Sequence, residues 1–266
     1  MIATDLDGTL LRDDGSVSRR SRRVLQRAQT QGLQVVLVSA RHPSLLRPKA
    51  EDAGVTGLAV CSNGAIIYDP VHGTVLTTAA LEPEVARVLI ERLREAIRGI
   101  YIAVELGARL AFDEHFALSM PDSDAKMLRC ADVLDALDLF DEPVTKLVLR
   151  HAECTSDELV EVVQRTVGEA AAVTYSSPNT LEISHPLVNK GWGLAALCGA
   201  SGIGPEEVVA FGDMPNDVAM LTWAGWAVAV ANAHPAVLAC ADEVTCSNME
   251  DGVAVVVERL LSGISE

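Results

Sequence analysis

The feature that most constrains this chain is an alternation of segment lengths. Short, nearly unbroken apolar runs stand at "MIAT" (1–4), "LQVVLVS" (33–39), "LAVCS" (58–62), "EVVAFG" (207–212), "WAVAV" (226–230) and "DEVTC" (242–246). Between them lie stretches with helical spacing at 18–31, 43–53, 190–200, 216–224, 235–240 and 250–262. A strand that is apolar on both faces must be covered on both, and helices packed above and below a parallel sheet do this. The punctuation agrees. Ser18 stands where an N-cap belongs, and Gly32 and Gly54 stand where a helix ends in a left-handed residue. The pattern predicts an α/β fold with a Rossmann-like parallel sheet.

That rhythm breaks between about residues 80 and 187. A helix at 83–98 precedes two alternating runs, "YIAVELG" and "RLAFD", which read as antiparallel strands. After the acidic segment "DVLDALDLFDEP" come "TKLVLRH", a helix at 157–167 and a hairpin, "AVTYSSPNTLEISH", with Ser-Pro-Asn at its bend. This is α+β character. Residues 1–80 and 187–266 are therefore expected to form the core, and 81–186 a smaller inserted domain.

Charge narrows the partners. The 266 residues carry 21 basic and 37 acidic side chains, a net −16, which argues against nucleic acid and against an anionic membrane. The run "RRSRR" (19–23) fits a solvated helix face, with Val24, Leu25 and Ala28 turned inward. Six cysteines at 61, 130, 154, 198, 240 and 246 show no CxxC spacing, so buried free thiols in a reducing, cytoplasmic compartment are expected. No apolar window approaches a membrane span.

Ligands of an open parallel sheet gather beyond the carboxyl ends of its strands. There the first run ends in Asp5, Asp7 and Gly8, the second in Ser39 and Arg41, and the third in Asn63 and Gly64. The fourth ends in "GDMPND", with Asp213, Asn216 and Asp217, while Lys190 opens a helix in "VNKGWGL". Asp5, Asp7, Asp213 and Asp217 would bring a charge of −4 into one crevice. Two carboxylates ~4 Å apart at an effective dielectric near ~20 repel by roughly 4 kcal/mol, so protonation or a bound cation must relieve them. Oxygen donors without His or Cys select Mg²⁺ over zinc. Such a cation, together with Lys190, would give an acidic protein a local positive pocket for a phosphate.

"DLDGTLL", "VLVSAR", "NKGWGL" and "FGDMPNDVAML" resemble, in order and spacing, the four motifs of the haloacid dehalogenase superfamily phosphohydrolases. "SNGA", the place of the insert and the tail "ANAHPAVLACADEVTCSNMEDGVAVV" look like its Cof-type branch with a C2B cap. One departure is Ala40, where the family usually has Gly between Ser/Thr and Arg. The resemblance implies Asp5 as the nucleophile that forms an aspartyl phosphate, and Asp7 as the acid and then the base. It implies Ser39, Lys190 and the backbone at Gly8 around the phosphoryl group. Mg²⁺ would be held by Asp5, the Asp7 carbonyl and Asp213, with Asn216 and Asp217 behind them, Asp217 supporting the metal or orienting Lys190. Arg41, Asn63 and Lys146 are candidate substrate contacts, with Glu105, Arg109, Asp113 and His115 as further cap residues. The expected activity is hydrolysis of a small phosphomonoester. A sugar phosphate leads, with nucleotides, flavin mononucleotide and pyridoxal phosphate behind. A phosphomutase or phosphotransferase, and a non-catalytic phospho-ligand sensor, remain the alternatives.

Overall fold

Strands and helices form where apolar periodicity and caps place them. The computed structural model describes residues 1–107, 109–112, 116, 131–133 and 142–263. From the N-terminus come β1 (Ile2–Thr4), α1 (Arg19–Thr30), β2 (Val35–Val38), α2 (Pro43–Ala53), β3 (Ala59–Cys61), β4 (Ile66–Asp69) and β5 (Thr74–Thr78). Next are α3 (Pro83–Ala96), β6 (Ile100–Leu106), β7 (Arg109–Phe112), β8 (Ala131–Val133), β9 (Lys146–His151), α4 (Ser156–Val167), β10 (Ala172–Ser177) and β11 (Thr180–Ser184). The chain closes with α5 (Lys190–Ser201), β12 (Val209–Gly212), α6 (Val218–Trp223), β13 (Trp226–Ala229), α7 (Pro235–Leu238), β14 (Glu243–Val244) and α8 (Gly252–Gly263). Two compact units result, Met1–Leu76 with Asn189–Glu266, and Thr77–Val188.

The first unit holds a sheet in the order β14-β13-β12-β1-β2-β3-β4-β5. Pairing is parallel from β14 through β3, and β4 joins β3 antiparallel. Strand β4 departs from the expected parallel set, and β5 follows it at the edge of the sheet. Four of the five residues of β5 are exposed, so it lacks the apolar signature of a covered strand. Helix ends follow local chemistry. Ser18 Oγ accepts the Ser21 N–H at 2.9 Å, and Gly54 closes α2 at φ 68°. Val24, Leu25 and Ala28 of α1 are buried and its arginines face out, as periodicity predicts. Strand residues Ala3, Val36, Val38, Val60 and Ala210 pack against Leu194 and Leu197 of α5 and Met220 of α6.

Connectivity positions the site. From β1 the chain moves to β2 on one side and later to β12 on the other, so β1 sits at the switch point of the sheet. Thr4 is in register with Leu37 and with Phe211, which sets Asp5, Ser39 and Asp213 just past the ends of three adjacent strands.

The second unit is a six-stranded sheet, β10-β11-β9-β6-β7-β8. On one face Ile102, Val104, Leu147 and Leu149 form a core with Leu89 and Leu93 of α3 and Val163 of α4. The opposite face carries Lys146, expected among the substrate contacts. Its ammonium is buried, 3.1 Å from Glu105 and 2.8 Å from Glu182. Register explains why. Glu105 lies directly opposite Lys146 across β6 and β9, and Glu182 of β11 comes up on the same face beside Val148. Burial alone would pull the Lys146 ammonium down, but Glu105 and Glu182 outweigh it and hold the group above its ordinary range. Arg109 is ion-paired with Glu142, and Asp113 and His115 lie outside the described residues.

Replacing Lys146 by methionine leaves two buried carboxylates without their cation. Breaking a buried ion pair from one side costs about 3–5 kcal/mol, so a urea titration of Lys146→Met should show a loss of that order. An unchanged midpoint would mean the pair is not held in solution.

Candidate active site

The centre of the site is an ammonium between two carboxylates. Asp5 leaves β1 with its N–H donating to the Phe211 carbonyl of β12 at 3.0 Å. Lys190, first residue of α5, places Nζ 2.6 Å from Asp5 Oδ1 and 2.6 Å from Asp217 Oδ1. Lys190 is 1% exposed, Asp217 0% and Asp5 4%. The other oxygen of Asp217 accepts the backbone N–H groups of Asp213 and Met214, each at 3.0 Å. Asp217 is thus held by its own loop on one oxygen and by Lys190 on the other. The N-cap of α5 is made by Asn189, whose Oδ1 accepts the Trp192 N–H at 2.9 Å.

Asp213 completes the cluster. One oxygen from each of Asp5, Asp213 and Asp217 lies within 4.8 Å of the others. Thr9 Oγ1 donates to Asp213 Oδ1 at 2.8 Å. Gly8 passes beside it at φ +79°, and a Cβ there would come within 2.2 Å of Asp213 Oδ2. Gly8 is therefore required by both its left-handed backbone and the carboxylate next to it. Its carbonyl accepts Asn232 Nδ2 at 2.8 Å. Sequence reasoning assigned no role to Thr9 or Asn232. Thr9 stands within the "DLDGTLL" run, where a hydroxyl beside two acids was the available signal. Asn232 gave none, because its partner is a main-chain carbonyl 224 positions away.

Ser39 is buried at the end of β2, its N–H donating to Val60 O at 2.8 Å and its Oγ accepting the Arg41 N–H at 3.1 Å. Ala40 between them is not among the residues with positive φ, so its methyl carries no left-handed strain. Asp7 stands apart from the buried cluster. Arg41, expected at the substrate, takes both Asp7 oxygens, with Nε to Oδ2 at 2.7 Å and Nη2 to Oδ1 at 2.6 Å.

Asn63, also expected at the substrate, bonds inside the unit. Its Oδ1 accepts Asn216 Nδ2 at 3.0 Å and the residue is buried. Ser62, Asn63 and Gly64 all have positive φ (49°, 56° and 106°), a run that costs roughly 1 kcal/mol or more per non-glycine residue. The turn is so close to α5 that a Cβ on Gly64 would meet the Asn189 carbonyl at 2.1 Å. Asn216 is left with a buried Oδ1 that has no partner among the described residues.

The electrostatics follow from burial. Asp5 is raised well above its ordinary value by desolvation, opposed by Lys190 and reinforced by Asp217, Asp213 and Asp7. Desolvation, with Asp217 next, pushes Asp213 up to about 7, while the Thr9 bond pulls the other way. Burial pulls Lys190 down, but Asp217 and Asp5 outweigh it and keep it protonated. Three carboxylates are therefore clustered around one ammonium, which contacts two of them. The donors are all oxygen, two of the acids are held toward protonation, and the loop that carries Asp213 and Asp217 also holds the orphaned amide oxygen of Asn216. That set fits a hard divalent cation.

Fold and site together define an α/β enzyme whose chemistry is gathered at the switch point of a parallel sheet. The sequence profile of the haloacid dehalogenase-like hydrolases matches residues 2–257, and the chain belongs to that family. It is 28% identical, over 96% of this chain and 92% of the relative, to a 5-amino-6-(5-phospho-D-ribitylamino)uracil phosphatase of Bacillus subtilis. It is 29% identical to a pyridoxal phosphate phosphatase of Escherichia coli, over 96% of each chain. Among solved structures, a haloacid dehalogenase-like hydrolase from B. subtilis superposes with a TM-score of 0.83 at 26% identity, covering 97% of this chain and 99% of that one. Among the described residues, no helix is long and apolar enough to cross a membrane.

Proposed function

We propose that this hydrolase is a Mg²⁺-dependent phosphatase of small phosphomonoesters, with Asp5 as nucleophile. The observation that carries this is the buried Lys190 ammonium at 2.6 Å from both Asp5 and Asp217, with Asp213 beside them. A pure binding site needs positive charge for a phosphate; it does not need a buried carboxylate aimed into the same pocket. Curated relatives named as phosphatases of a ribitylaminouracil phosphate and of pyridoxal phosphate share the phosphoryl group and little else, which supports a small phosphorylated metabolite as substrate. Sugar phosphates remain the leading class.

Asp5 attacks phosphorus as the ester P–O bond breaks, and Asp7 gives its proton to the leaving alkoxide. A water then attacks the aspartyl phosphate, losing its proton to Asp7 and freeing phosphate and Asp5. Ser39 and Lys190 bind the phosphoryl oxygens and offset the charge that spreads over them. Asp5, Asp213 and the Asp7 carbonyl would hold Mg²⁺, with Asn216 behind them. When bound, the ion neutralises the clustered acids and draws charge from the phosphoryl group.

The test is phosphate release from a panel of phosphomonoesters with and without Mg²⁺. Release in water without an acceptor is expected. Tight ester binding without turnover would favour a sensor, and release only on adding an acceptor sugar would favour a phosphotransferase.

A pH prediction follows from Asp213. Burial raises it, so the metal-free fold favours its protonated form, a contribution complete below the unfolded value of 3.8 and lost as pH rises through about 7. A metal ligand must be ionised. The Mg²⁺-induced rise in Tm should thus be small at about pH 5.5 and largest at about pH 8, read by scanning calorimetry. An increase that is flat with pH would remove Asp213 from the ligand set.

A further inference from the structure

We propose that Arg41 is the positioning residue of Asp7, holding its carboxylate in the orientation from which it serves the leaving oxygen. The inference rests on the role given above to Asp7. Asp7 is the one motif carboxylate outside the buried cluster, and its side chain is 47% exposed. An exposed carboxylate on a single-bonded stem samples several rotamers, and an acid must be within hydrogen-bond reach of the oxygen it protonates.

Arg41 removes that freedom. Its planar fork contacts both carboxylate oxygens, at 2.7 and 2.6 Å, which fixes the plane of the group as well as its place. A lysine would offer a point charge and no plane. The arginine is itself anchored through its main chain. Its N–H donates to Ser39 Oγ at 3.1 Å, and its carbonyl accepts the Ser62 N–H at 3.0 Å. Ser62 begins the run of positive φ values that ends against α5. The loop that presents the Ser39 hydroxyl therefore also sets where the guanidinium sits, so the acid and the phosphoryl site are placed by one piece of backbone. A half-exposed pair of this kind adds little to stability. Its removal should leave the fold intact and act on the chemistry alone.

The experiment compares Arg41→Ala and Arg41→Lys with the wild type on two esters. One is p-nitrophenyl phosphate, whose leaving group departs without a proton. The other is the alkyl phosphate that the wild type hydrolyses fastest in the release panel. For the alkyl ester, kcat/KM should fall by about 10- to 100-fold in Arg41→Ala and less in Arg41→Lys, since general acid catalysis is worth about 10²- to 10⁴-fold. For p-nitrophenyl phosphate, kcat/KM should change by less than about threefold. In an Asp7→Asn background, Arg41→Ala should add no further loss, because the arginine acts through the acid.

Equal losses on both esters would overturn the proposal, as would losses that add in the Asp7→Asn background. A raised KM with kcat intact would make Arg41 a substrate contact instead. Arg41→Lys, which keeps the charge, gives the same comparison if the alanine variant melts early. A wild type that releases phosphate from no ester would sink the phosphatase assignment, a result distinguishable from failure of the Arg41 split.

Discussion

Asp5→Asn is expected to be folded and to have lost turnover by on the order of 10⁴-fold or more, the scale on which removing a covalent nucleophile acts. The substitution changes one oxygen to an amide nitrogen. Lys190 keeps its bond to Asp217, and the Asp5 backbone bond to Phe211 is untouched, so the fold has no reason to yield. What disappears is a charged oxygen able to attack phosphorus, together with one oxygen donor of the carboxylate set. Two readouts should move together. Phosphate release should vanish, and rapid acid quench with a ³²P-labelled ester should find no label on the protein. Undiminished phosphatase turnover in this variant would end the assignment of Asp5.

The second large effect is at Lys190. Lys190→Met removes the ammonium shared by Asp5 and Asp217 and leaves buried acids facing an apolar side chain. One-sided loss of a buried ion pair costs about 3–5 kcal/mol. Under the proposed function, the charge stabilisation it would supply to a phosphoryl group should be worth about 10²- to 10³-fold in rate, the scale of other preorganised donors. The stability loss should depend on pH. Without Lys190, which now pulls Asp5 down, the Asp5 pKa rises further, and the fold favours the protonated acid still more. That preference stabilises the variant at low pH and is lost as pH rises through the folded value, so the gap from wild type should widen with pH. Urea titrations at acidic and mildly alkaline pH measure the gap, and added Mg²⁺ should narrow it. A gap that stays constant with pH would mean that Asp5 and Asp217 are not left charged and buried.

Much of this arrangement was legible because it is written in local rules. Apolar runs of four to seven residues, Gly54 after α2 and Ser18 before α1 gave most strands and helices of the first unit within a few positions. The edge strand β5 escaped, since four of its five residues are exposed and it shows no burial pattern. Asp5, Asp213 and Asp217 stand out because like charges beyond the ends of strands demand an explanation, and Lys190 because it opens a helix. Asn63 and Arg41 read as candidate substrate contacts because they follow strand ends, and Lys146 because it begins an apolar strand. The structure gives each an intramolecular partner: Asn216, Asp7, and the pair Glu105 and Glu182.

The sequence by itself determined most of the sheet, the helices that cover it, which acids follow strand ends and which lysine opens a helix, because hydrophobic period and capping act over a few residues. Only the tertiary structure decided who neutralises whom. Arg41 lies 34 positions from Asp7 and Lys190 lies 185 from Asp5. Those pairings depend on strand order and register, which bring distant loops to one edge, and an electrostatic partner is chosen by distance in space and by burial. No local pattern encodes either.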